Sequence, residues 1–175
     1  MADAFTWVVR FLHILSAVIW VGGSFTWGMV IAPRILQRGP PPIRRPFLEA
    51  ALGPFTRLMI VSGALTILTG FWTMGLLVGF DGIAAAFQGS SYGIALGVGV
   101  VLAIAMYLEG WFIIKPTGER ILATMQTVPP GQPPSEATQK ELAALGKKVG
   151  IASLTNLVMG TLALGAMAWA VNVVR

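Results

Sequence analysis

The chain has 175 residues, of which 55% are hydrophobic and 11% charged, with a mean hydropathy of +0.77. That composition excludes an ordinary soluble domain and places it among polytopic membrane proteins. The net charge of +5 would suit nucleic acid, but the basic residues are segregated by connection, and the absence of cysteine excludes disulfides, thiolate metal sites, iron–sulfur clusters and covalent c-type haem.

The first apolar stretch, between Arg10 and Arg34, holds 23 uncharged residues and the only histidine, His13. At about 1.5 Å per residue it extends about 35 Å, enough for a hydrocarbon core of about 30 Å. Helical spacing of three, four and seven puts Arg10, Ser16, Ala17, Trp20, Gly23, Ser24 and Trp27 with His13 on one face, with Leu, Val, Ile and Phe opposite. The histidine face is expected to meet other helices or a bound group, and the aliphatic face lipid. The start MADAF has no basic n-region, and no A-x-A-like site follows, so this stretch is expected to be retained rather than cleaved.

Pro40–Pro42 then predict a stiff extended connector, with helix resuming near Phe47. Charge-free stretches Leu58–Phe80, Gly82–Leu108 and Val149–Val174 follow. The expected fold is an all-α, integral membrane four-helix bundle forming a single domain, 1–175, with spans at about 5–32, 55–80, 91–114 and 149–173. Gly75/Gly79 and Gly93/Gly97 have the small-xxx-small spacing that lets helix backbones approach. Ile83–Phe87 can lie at the interface or fold back. Glu109 and Arg57 are at similar depth and are expected to pair as a structural clamp. Residues 116–147 read as a mobile cytoplasmic loop, except that Leu142, Leu145 and Val149 predict a helix leading into the fourth span, with Ser135 near its start.

Ten basic residues flank the first and third connections (Arg34, Arg38, Arg44, Arg45 and Arg57; Lys115, Arg120, Lys140, Lys147 and Lys148), against Arg10 and Arg175 elsewhere. The positive-inside rule places those connections in the cytoplasm and both termini outside, in a multi-pass protein of the bacterial inner membrane, with the basic groups near anionic lipid.

No Ser–His–Asp triad, paired carboxylates or nucleotide-binding glycine loop is present, so any reaction needs a bound cofactor. His13 lies about 12 Å below the outer end of its span, and the same counting puts Met74 and Met167 at comparable depth, with Met106 deeper. Histidine and methionine can ligate haem iron axially, Arg10 suits a propionate, and Trp20 is two turns from His13 on its face. The second ligand can be one of these methionines, absent, or His13 of a second chain. Two other readings stand beside haem b: His13 as an interhelical hydrogen-bonding group, and a copper-handling or transport protein using His13 and some of the eight methionines. The tryptophans otherwise read as interface anchors and packing, as does Tyr92.

The pattern LHxxxxxxWxGG at Leu12-His13, Trp20, Gly22 and Gly23 resembles the first helix of the copper-resistance protein D (CopD)-like membrane families. It is similar also to the membrane part of cytochrome-type urate oxidases and to HemJ-type protoporphyrinogen oxidases. The LTILTG turn around Gly70 and Lys115-Pro116 support the likeness. The resemblance implies that His13 ligates haem or metal in a half-length member, an electron-transferring protein, an oxidoreductase or an accessory subunit. The expected partners are the lipid membrane, a periplasmic electron carrier, and further copies of the chain or a larger membrane complex.

Overall fold

The structure, a computed structural model, describes residues 4–88, 90–129 and 132–173. Among these it is all-helical, and four helices are long and apolar enough to cross a membrane: Ala4–Ile35, Ile43–Val78, Ser91–Gln126 and Glu136–Ala170. Helix α1 (Ala4–Thr26) continues as a π-helix, Trp27–Gln37. Next come α2 (Pro41–Val78), a 3₁₀ turn at Phe80–Gly82 and the single turn α3 (Ile83–Ala86). Helix α4 (Ser91–Glu109) passes through a second π segment, Gly110–Ile114, into α5 (Lys115–Gln126), and α6 runs over Glu136–Val173. The chain termini, expected outside the membrane, fall beyond the described residues.

Both π segments stand beside a proline, Pro33 within the first and Pro116 just after the second. Proline offers no N–H to the carbonyl four residues back, and a wider turn is one way for a helix to continue past it. Where sequence predicted breaks, the structure has shorter ones than expected, at 38–40 and between Gln126 and Glu136. Only Pro40 is extended (φ −56°, ψ 139°); Pro41 and Pro42 open α2, where an N–H has no partner to lose. The stretch expected as a 116–147 loop is helical over Lys115–Gln126 and again from Glu136. The start signal near Ser135 is used: its Oγ accepts from the Thr138 N–H at 3.2 Å.

The 38-residue helices α2 and α6 are about 57 Å long, well beyond a core of about 30 Å. The excess is at the end that carries the basic connections. Large apolar side chains such as Leu68, Val101 and Phe112 stay roughly two-thirds exposed around the barrel of helices, as lipid-facing residues are.

Helix α1 packs chiefly on α2, and α4 on α6, so the bundle is two hairpins in contact. Close approaches between the long helices use Gly63 and Gly70, whereas Gly75, Gly93 and Gly97 of the expected pairs meet the short connection between α2 and α4. A Cβ at Gly63 would stand 2.9 Å from both the Trp20 and Tyr107 rings, and one at Gly70 2.9 Å from His13 Cε1. Gly75 faces the Phe80 ring, and Gly79, at φ +78°, ends α2. Gly93 and Gly97 meet the α3 turn at Ala86 and Phe87. The expected Arg57–Glu109 pair is not formed: Arg57 is exposed, and Glu109 Oε2 instead accepts from Asn156 Nδ2 at 3.3 Å.

Replacing Gly63 by leucine forces a branched side chain into the Trp20–Tyr107 contact and is expected to cost about 1–3 kcal/mol. Thermal unfolding in detergent should show a clearly lowered Tm for Gly63→Leu and none for Gly22→Ala, where a Cβ meets nothing within 4 Å.

A candidate ligand site at His13

His13 is half-buried on α1, one turn from the buried Ser16 and two from the buried Trp20. Its Nδ1 lies 2.8 Å from the Thr66 carbonyl oxygen of α2, with Thr69 Oγ1 at 3.5 Å. A carbonyl only accepts, so Nδ1 carries a hydrogen, and in the neutral ring Nε2 then keeps its lone pair. The ring lies over Gly70, close enough that any larger residue there would displace it. Nε2 makes no hydrogen bond among the described residues, whereas every buried side-chain nitrogen and oxygen has a partner. Nε2 is therefore not fully sealed within the packing.

The register of the ring is fixed by a short polar ladder. Ser16 Oγ donates to the Leu12 carbonyl at 2.7 Å, and Thr66 Oγ1 stands 3.0 Å from Ser16 Oγ and 2.8 Å from the Ser62 carbonyl. Each hydroxyl is satisfied along its own helix and also touches the other, which locks α1 against α2 at the level of His13. In a bilayer such contacts average about 0.6 kcal/mol each. They specify position more than they add stability.

The other expected site residues divide. Arg10 is exposed one turn away, and Ala17 is half-buried on the His13 face. Met74 is buried on α2, one turn beyond Gly70 and so on the same face of that helix. Met167 instead packs in the α4–α6 seam, where its Cγ would stand 2.9 Å from a Cβ at Gly99. Trp20 meets Tyr107 edge-on, with centroids 6.1 Å apart at 78°. It lines a large cavity at the basic-connection end of the bundle, a cavity that His13, Arg10, Ala17, Met74 and Met167 do not line.

One functional-looking group went unnoticed in the sequence. Asn156, 4% exposed, donates through Nδ2 to the Met106 carbonyl at 2.8 Å and accepts from Ser24 Oγ at 3.4 Å. It ties α6 to α4 and α1. The available signal was an amide in the middle of an otherwise apolar span.

For a haem, the donor chemistry at His13 fits: a held imidazole with Nδ1–H anchored on a backbone carbonyl is how metal-ligating histidines are oriented. The large cavity does not serve it. Among the described residues no group of three or more His, Asp or Glu could hold a bare metal ion. With only one histidine in the chain, ¹⁵N labelling reads this arrangement directly: the neutral ring should give one protonated Nδ1 and one unprotonated Nε2 signal, and a neutral ring protonated at Nε2 instead would contradict the Thr66 bond. No known protein family, no curated protein and no solved structure compared with this chain matches it.

Proposed function

We propose that this is a membrane haem-b protein of electron transfer, with His13 Nε2 as the axial donor. The observation that carries the reading is the Nδ1–Thr66 carbonyl bond, which orients the ring and leaves Nε2 without a partner. A histidine serving only as interhelical glue would explain the Thr66 bond but not why its second nitrogen is left without a partner. Haem asks least of this chain, because the porphyrin supplies four donors and the protein needs to add only one or two. Once bound, the haem supplies one-electron chemistry. The chain's own part is to hold the imidazole through Thr66 and Gly70, and to offer Arg10 one turn away for a propionate. Met74 lies on the α2 face that carries Gly70, the glycine under the His13 ring, and is the methionine to test as a second ligand; Met167 packs in the other hairpin. Because the His13 seam lies apart from the large cavity, cover for the cofactor comes from lipid or from a second copy of the chain.

The copper-handling alternative is weaker here. A Cu(I) site needs two or three soft donors together, and of the two methionines expected beside His13 one is turned into the other hairpin. The likeness of the first helix to CopD-like proteins supports either metal.

A reduced-minus-oxidised spectrum of the purified protein should give a b-type haem signal, abolished in His13→Ala and retained in Met167→Leu. A featureless spectrum from haem-replete cells would overturn the reading. The chain is read as sitting in the bacterial inner membrane with the basic connections in the cytoplasm, which would put His13 in the outer half, within reach of a periplasmic electron carrier. Since the protein has no cysteine, single substitutions test this: Asp81→Cys should react with an impermeant maleimide on intact spheroplasts, and Thr127→Cys only after lysis.

A further inference from the structure

The large cavity, about 860 Å³, lies between all four long helices at the end that bears the basic connections. Its volume is near the top of the range for small-molecule sites. Both π-helical segments line it, through Trp27 and Ala32 in the first and Gly110, Trp111 and Ile114 in the second. Departures of this kind are frequent at functional sites. The space is not merely loose packing around long side chains, because three glycines open onto it: a Cβ at Gly110, Gly146 or Gly150 meets nothing within 4 Å.

The deep wall is apolar and aromatic. Trp20, Phe55, Met106 and Tyr107 close the end nearest the membrane interior, and Trp27 stacks on Phe55 at 4.6 Å. The rim is of one sign. Arg44, Lys115 and Lys147 line it, and no Asp or Glu does. Arg44 is engaged locally, its Nε donating to the Gly39 carbonyl. Lys115 sits over the Trp111 ring at 5.1 Å and is only 3.7 Å from Glu119. Lys147 is exposed and in no ion pair among the described residues. Because α2 and α6 overrun the membrane at this end, the rim falls where their charged extensions meet the apolar spans, at headgroup depth.

An apolar chamber inside a bilayer has no hydrophobic advantage over the lipid itself, since both are equally dry. Selection has to come from the polar end of the guest, and a rim whose charged lining residues among those described are all cations selects an anion. We infer that the cavity takes one membrane-dissolved acyl amphiphile with an anionic head, its chain against Trp20, Phe55 and Met106 and its head at Lys115 and Lys147. This site is separate from His13 and does not depend on haem.

Native mass spectrometry of the full-length protein, delipidated in a non-ionic detergent, tests it with three probes sharing one chain: oleate, 1-oleoyl lysophosphatidic acid and oleyl alcohol. Saturable binding of one anionic molecule per chain is expected, with the alcohol far weaker, and the tighter of the two anions tells a carboxylate head from a phosphate. Gly150→Phe, which fills open space, should abolish binding without lowering the Tm; if its Tm does fall, Gly146→Phe on the next turn serves in its place. Lys147→Glu should weaken the anions roughly tenfold and leave the alcohol unchanged. Equal, non-saturating uptake of all three probes, or anion binding that survives both the cavity-filling and the charge-reversing substitutions, would overturn the inference.

Discussion

The constraint on which this bundle depends is that ring side chains on α1 can enter α2 only where α2 presents glycine. His13 lies over Gly70, and Trp20 over Gly63 with Tyr107 from α4 against the same glycine. In lipid there is no apolar burial to hold helices together, so close backbone approach and van der Waals fit carry the association. Two sockets two turns apart set both the rotation and the axial register of the first hairpin. The Ser16–Thr66 contact follows from that register, since the two hydroxyls meet only if the rings are seated.

The second constraint is polar satisfaction. With no water in the hydrocarbon region, each buried hydroxyl and amide needs a protein partner, and among the described residues none of the buried side-chain polar atoms lacks one. Most serines and threonines return to the carbonyl one turn back on their own helix, as Ser62 does to Leu58 and Thr73 to Thr69. His13 and Asn156 are different. Each reaches a carbonyl of a neighbouring helix that already serves its own ladder, using that oxygen's second lone pair. One stitches α1 to α2, the other α6 to α4 and α1.

Trp20 divides the molecule. Outward of it, the α1–α2 seam is tight and holds a histidine with one nitrogen committed and one open. Toward the basic connections, the helices part around Trp27 and Gly110, where proline-associated π turns widen them, and a chamber results. The same indole that fills the socket at Gly63 forms the chamber's end wall, so the two candidate sites share a partition but no lining residue among those expected around His13 apart from Trp20 itself.

The sequence by itself determined what composition and local periodicity can encode: an all-helical fold with four helices long and apolar enough to span a membrane, the buried face of the first of them through Ser16, Trp20 and Trp27, and His13 as the group to watch. These are legible because a helix face is a matter of spacing within one segment. Only the tertiary structure decided which helix each face meets. Met74 and Met167 have the same counted depth, yet one lies on the Gly70 face of α2 and the other in the α4–α6 seam, because depth says nothing about azimuth. Glu109 met Asn156 rather than Arg57 for the same reason. Proline signals at Pro41, Pro42 and Pro116 read as breaks, while Pro41 and Pro42 start a helix directly after a short break and Pro116 follows a wider turn within one. The chamber is set by the spacing between four helices, a quantity that no single stretch of sequence contains.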